Sequence, residues 1–195
     1  MPFVSLLVVA ALHEEVRYVD RDVEVLVTGV GKAQAAARLA SRLSESRPSL
    51  VVNVGTAGAL ASSMAGVHEV DVVTQHDFPY AAISALVGAG APVAYRLGSE
   101  APPVAVDALS GACVLGTGDS FVSDAATALE LGGRGIHLVD MEGYGYASAC
   151  AAFGVPLRCV KAVSDRADAD AAESWLDLID GCALALGEWL RGWRE

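Results

Sequence analysis

No stretch of this sequence stays apolar long enough to span a bilayer as a helix, which excludes an integral helical membrane protein among the possible readings. Basic residues are scarce: 13 Lys and Arg stand against 24 Asp and Glu, a formal charge of −11. That balance argues against nucleic acid or an anionic membrane as partner and suits a small neutral or cationic ligand. Cysteine is also sparse. Cys113, Cys150, Cys159 and Cys182 lie far apart among apolar neighbours, with no CxxC and no Cys/His metal spacing. They are expected to be reduced core thiols of a cytoplasmic protein, with no metal and no cofactor. The apolar opening, Met1 to Leu12, lacks a basic leader and turns at once into His13-Glu14-Glu15, so it reads as a buried first strand rather than a signal peptide. No internal repeat and no low-complexity tail is evident.

What the chain does have is apolar mass. With 53% hydrophobic residues over 195 positions it can bury a full core, most simply as one domain over residues 1–195. Strand-like runs, most of them apolar on both faces, fall at Phe3–Ala11, Val23–Thr28, Leu50–Val54, Val67–Thr74, Ala112–Gly116, Ile136–Met141 and Leu157–Ser164. Helical periodicity falls at His13–Val19, Lys32–Ser46, Tyr80–Val87, Ser123–Leu131, Gly143–Phe153 and Glu173–Gly192. In the last of these, Trp175, Leu176, Ile179, Ala183, Leu186, Leu190 and Trp193 form an apolar stripe. Such alternation predicts an α/β fold, a three-layer α/β/α sandwich with a mainly parallel central sheet. Only Gly88–Leu109, rich in Gly, Pro and Ala, breaks the pattern and is expected to be a loop or a short excursion over the sheet edge.

In a sheet of this kind ligands meet catalytic groups at the C-terminal strand ends. Three segments have that design. Val160-Lys161-Ala162-Val163-Ser164-Asp165 carries a serine and a carboxylate out at its end; Val51 to Gly58 runs into Gly55-Thr56-Ala57-Gly58; His137 to Gly143 runs into Asp140-Met141-Glu142. The glycine-rich Thr28-Gly29-Val30-Gly31-Lys32 could cradle an anion or be a plain tight turn, and it matches neither a P-loop nor a dinucleotide fingerprint. Four acids stand just beyond strands: Glu15, Asp119, Glu142 and Asp165. Each taken singly could be a helix cap or dipole partner, but together they suggest a site. His137, within a buried-looking strand, reads as a core residue, and His13 suggests no role.

The motifs Ala11-Leu12-His13-Glu14-Glu15-Val16, Thr28 to Lys32, Asn53-Val54-Gly55-Thr56-Ala57-Gly58, Gly118-Asp119-Ser120-Phe121-Val122, Asp140-Met141-Glu142-Gly143 and Val163-Ser164-Asp165 occur in an order that resembles the purine nucleoside phosphorylase and uridine phosphorylase superfamily. Within it, the sequence is most similar to the methylthioadenosine/S-adenosylhomocysteine nucleosidases and to short nucleosidase-like members. The resemblance implies a mixed, partly barrel-like sheet and cleavage of an N-glycosidic bond to a purine. It also implies a role for each motif residue. Asp165, oriented by Ser164, would protonate the purine at N7; Glu142 would hold the ribose, with Met141 beneath the sugar; Glu15 would deprotonate an attacking water, with Thr56 as a second contact. Phe121 would stack on the base, the backbone of Val122 would read its edge, and Gly58 and Asp119 would belong to the substrate-binding set. The expected ligands are a purine nucleoside and water, and the assembly a homodimer. Near a subunit interface, His76, Phe78 and Tyr80 are candidates to close the 5′-substituent pocket.

Departures from the family pattern are informative too. Superfamily phosphorylases hold phosphate with an arginine before the Gly-Ser/Thr turn and with a Gly-Asp-Pro-x-Arg loop; this chain has Asn53 and His13-Glu14-Glu15 there. A carboxylate at that place repels phosphate, so hydrolysis is expected over phosphorolysis. Thr56 replaces a commoner serine. Asp165, where members acting on 6-oxopurines or futalosine often carry asparagine, favours adenine, while Met141 to Gly145 also resembles futalosine hydrolases. A phosphate-dependent phosphorylase, a futalosine-type hydrolase and a nucleoside-binding regulatory module are the alternatives. The segments near residues 19–23 and 88–109 are shorter than in typical nucleosidases.

Overall fold

The computed structural model describes residues 5–61, 63–88, 93–98, 100–106, 109 and 113–194. The first strand, β1 (Leu6–Ala10), alternates between two buried faces: Leu7 and Val9 enter one apolar cluster, Val8 and Ala10 another. The sheet is therefore covered on both sides, as a strand without a polar face requires. On one side α1 (Lys32–Glu45) packs against α4 (Gly143–Phe153), supplying Leu39, Leu43, Tyr146 and Cys150 to the first cluster. On the other, α5 (Ala171–Arg194) lays Cys182, Leu186 and Leu190 over Val52, Val54, Val160 and Ala162. The three layers expected from alternation are present.

Strands β2 (Glu24–Val27), β3 (Leu50–Ala59), β5 (Val72–Gln75), β8 (Val114–Thr117), β9 (Leu138–Asp140) and β10 (Leu157–Asp165) carry most of the sheet, with β4 (Val67–Glu69), β6 (Ala94–Arg96) and β7 (Val104–Val106) at its margins. The order is β2-β1-β3-β9-β8-β5-β6-β7, with β10 on β3 and β4 on β10. Pairs β1–β2, β1–β3, β3–β10, β5–β8 and β8–β9 are parallel; β3–β9, β4–β10, β5–β6 and β6–β7 are antiparallel. One detail places the site. Along a single edge of β3, pairing to β1 ends at Asn53 and pairing to β9 begins only at Gly58, so the sheet forks there.

Several boundaries differ from the sequence reading. The helix expected at His13–Val19 is a single 3-10 turn, Glu14–Val16, because the Glu15 carboxylate folds back onto the N–H groups of Ala11 and Leu12. Val67–Thr74 is two strands with different partners. Residues 55–59, expected beyond a strand end, are themselves strand, held by β10 on one side and β9 at the tip. Within Gly88–Leu109 the short β6 and β7 form an antiparallel extension of the sheet. The opening-strand expectation for residues 3 and 4, and the start of Ala112–Gly116, lie outside the described residues. All four cysteines are buried and free. No helix among the described residues is long and apolar enough to cross a membrane.

Candidate active site

At the fork, Thr56 has a backbone N–H that faces neither β1 nor β9. Glu15 takes it: Oε1 accepts from Thr56 N at 2.8 Å and from Thr56 Oγ1 at 3.1 Å, while Oε2 accepts from Ala11 N and Leu12 N at 3.1 Å each. Four donors fix this carboxylate at the end of the first strand, and it is only 5% exposed. A buried charge of this kind is tolerable because its lone pairs are satisfied.

Beside it runs a second buried ionic group. Lys161 Nζ stands 2.9 Å from Asp140 Oδ2, both side chains almost wholly inaccessible. Asp140 also accepts from Thr117 Oγ1 at 2.7 Å and Gly143 N at 2.8 Å, which ties β8, β9 and the start of α4 to β10. A methyl group added at Gly55 would meet Glu15 Oε1 and Lys161 Nζ, each at 3.1 Å, so the strand must be bare where these charges approach. Burial alone would lower the Lys161 pKa, but Asp140, with Glu142 and Glu15 behind it, holds the ammonium above its ordinary value.

Glu142 sits at the entry to α4, 7% exposed, and its Oε1 accepts from Gly31 N at 2.8 Å. The loop between β2 and α1 therefore does present an N–H to an anion, a carboxylate of the protein itself, with Gly31 in the left-handed half of backbone space at φ 99°. Burial, then the neighbouring Asp140, push the Glu142 pKa up to about 7, against the opposing pull of Lys161 and the Gly31 N–H.

Asp165 ends β10. Its Oδ2 accepts from Ser164 Oγ at 2.8 Å and its Oδ1 from Ala167 N at 2.9 Å. Ala167, buried with φ 53°, turns the chain sharply to deliver that N–H. Gly58 leaves the carboxylate its place: a Cβ there would lie 2.7 Å from Asp165 Oδ1.

These groups open onto one cavity of about 420 Å³. Of the residues singled out from sequence, Glu15, Thr56, Gly58, Phe121, Val122, Met141, Glu142, Ser164 and Asp165 all line it. Phe121 is 48% exposed at the mouth, and Val122 is buried. Two others stand outside the lining. Asp119 accepts from Lys32 N at 3.0 Å and shares the Lys32 ammonium with Asp77, which ties it to the start of α1; Phe78 packs on Tyr80 at 4.7 Å between ring centroids. Asn53 is wholly internal, its amide donating to Val9 O and Val54 O. His137, expected in the core, is only half-buried immediately before β9, where its Nδ1 accepts from Val114 N at 3.1 Å.

Sequence reasoning passed over Lys161, Asp140, Trp175 and Leu176. The first two had a signal, a lysine and an aspartate within runs apolar enough to be buried on both faces. Trp175 and Leu176 were read as part of the apolar stripe of α5, yet both line the cavity, and Leu176 is 67% exposed. The lining combines four acids, an apolar wall and no basic side chain among the described residues. It can bind a small uncharged or cationic ligand, donate a proton from a carboxyl group, and stabilise positive charge.

Comparison with known proteins identifies the family and the fold. The family model described as the phosphorylase superfamily matches residues 14–185. The 5′-methylthioadenosine/S-adenosylhomocysteine nucleosidase of Geobacillus thermodenitrificans is 30% identical over 172 residues, covering 82% of this chain and 73% of that protein. Its namesake from Bacillus subtilis is 28% identical over 186 residues, covering 86% and 78%. Among solved structures, an S-adenosylhomocysteine nucleosidase from Streptococcus pyogenes in complex with 5-methylthiotubericidin superposes with a TM-score of 0.82 at 23% identity, covering 97% of this chain and 95% of that one. Futalosine hydrolase of Helicobacter pylori shares the fold with a TM-score of 0.79 at 19% identity, covering 95% of each chain.

Proposed function

This chain belongs to the phosphorylase superfamily, and from that premise we propose that it hydrolyses the N-glycosidic bond of a purine nucleoside, 5′-methylthioadenosine or S-adenosylhomocysteine, releasing adenine and the ribose moiety. The observation that carries the reading is that Glu15, Glu142 and Asp165 open onto one cavity whose lining, among the described residues, carries no basic side chain. Phosphate would find carboxylates and no cationic side chain in the described lining, and Asn53, where phosphorylases carry arginine, spends its amide on backbone carbonyls. Water is the nucleophile that fits.

In the reaction Asp165 gives its proton to purine N7 as the bond from the anomeric carbon to N9 breaks and the electron pair leaves with the base. Positive charge grows on the ribose, where Glu142 accepts from its hydroxyls and stabilises the cation. A water oxygen then bonds to the anomeric carbon while Glu15 takes its proton. Asp165 leaves as carboxylate and Glu15 as acid, and exchange with solvent restores both. Leu12, Val30, Trp175 and Leu176 supply an apolar wall suited to a thioether 5′-substituent. Such an activity belongs to methionine salvage in the cytoplasm. A homodimer accords with α2 (Tyr80–Val87), an apolar helix without a buried residue, on which Leu86 and Val87 are 80% and 65% exposed.

The test is to incubate the protein with methylthioadenosine, S-adenosylhomocysteine, adenosine, inosine and futalosine, with and without phosphate, and to separate the products. Free adenine and reducing sugar without phosphate are expected, and Asp165→Asn or Glu15→Gln should lower turnover at least about 100-fold while ligand still raises the melting temperature. A strict phosphate requirement, or stabilisation by ligand with no product from any substrate, would overturn the reading.

A further inference from the structure

We propose that Trp175 is a positioning residue for the general base, acting through its indole N–H on Thr56. The inference rests on the hydrolase reading and adds to it a residue that none of the sequence motifs contains. Trp175 Nε1 donates to Thr56 Oγ1 at 3.0 Å, and Thr56 Oγ1 donates in turn to Glu15 Oε1 at 3.1 Å. The direction is forced by the inventory of donors. An indole nitrogen can only donate, so the hydroxyl must accept from it and has a single proton left to give. An ionised carboxylate only accepts, so that proton points at Glu15.

Three of the four donors on Glu15 are backbone N–H groups set by β1 and β3, whereas the fourth is a hydroxyl rotor. Without the indole, Thr56 is free to turn its proton toward a ligand or a water and leave Oε1 with one donor fewer. With it, the chain of bonds polarises the hydroxyl and fixes the carboxylate face that must meet the water. Trp175 also lines the cavity beside Ala172 and Leu176, on the N-terminal turns of α5. The side chain that touches the ligand's apolar portion is thus the one that orients the base, so filling that part of the cavity is felt at Glu15.

The test is a double-mutant cycle with Trp175→Phe and Thr56→Val, assayed on methylthioadenosine, with melting temperature as a control on folding. Phenylalanine keeps an aromatic wall, though a smaller one, and deletes the donor. Trp175→Phe should lower kcat about 3- to 10-fold with KM changed less than about twofold, and should have no further effect once Thr56 is valine. An equal loss in both backgrounds, or a rise in KM alone, would overturn the relay and leave Trp175 as cavity wall. An activity-independent arm separates this from failure of the hydrolase reading. The indole N–H resonance of Trp175, assigned by its loss in Trp175→Phe, should move in Thr56→Val. If it does not move, the relay is wrong whatever the enzyme does; if it moves while the wild type cleaves none of the nucleosides, the bond stands and the reading of it as a catalytic device falls.

Discussion

Around Lys161 the charges do not balance: one ammonium faces Asp140, Glu142 and Glu15, all buried. Burial first, and then this excess of negative charge through Asp140, push the Glu142 pKa from 4.5 to about 7. Because the folded value lies above the unfolded one, the folded state prefers the protonated acid. The cost of ionising it is absent below pH 4.5, grows between pH 4.5 and 7, and is complete above. Glu142→Gln should therefore stabilise the protein at pH 8, by on the order of 1–3 kcal/mol, and do little at pH 4, as urea titrations at the two pH values will show. Catalysis needs the opposite ionisation. Wild-type kcat/KM should fall as the pH drops below about 7, and the glutamine variant should lose most of its activity at every pH. Asp165, Glu15 and Glu142 were singled out in the sequence as a set, since any one acid beside a strand end could be a helix cap or dipole partner, and all three line the one cavity. Lys161 showed only as a charge within an apolar run; its partner Asp140 lies on a distant strand, which no local pattern reveals, and Trp175 was hidden because the same amphipathic stripe serves both core and cavity.

At the scale of elements, α1 and α4 pack very closely. A Cβ at Gly145 would lie 2.5 Å from Lys32 O and 3.2 Å from Ala36 N, so the helices approach backbone to backbone. Gly145→Ala must push them apart and should cost about 1–3 kcal/mol in denaturant unfolding despite the higher helix propensity of alanine. Because Gly31 and Glu142 bracket the same junction, the variant should also weaken ligand binding. Helices α2 and α4 begin and end where periodicity placed them, since each is bounded by glycine or proline. Shorter pieces escaped. Strands β6 and β7 have three residues each, too few to show a period of two, and their Gly- and Pro-rich surroundings read as loop. Residues 55–59 look like a turn because they are small, yet smallness is what lets Glu15, Lys161 and Asp165 crowd a strand on both sides.

Across the whole molecule, layers were readable from strands apolar on both faces, and the fork of β3 was not, because which strand pairs with which edge is decided by contacts between distant segments. The exposed α2 face makes a further expectation. Light scattering should give twice the 20.0 kDa of one chain, and Leu86→Glu with Val87→Glu should return it to one. A second consequence concerns assembly in time. In the proposed mechanism the base, Glu15, is held by residue 56, which is held by residue 175, and the proton donor is residue 165. A growing polypeptide thus carries Glu15 long before the helix that steadies it has left the ribosome. No fragment short of α5 can hold the complete constellation, so the appearance of full turnover during synthesis or refolding marks the docking of the last helix and not the collapse of the sheet.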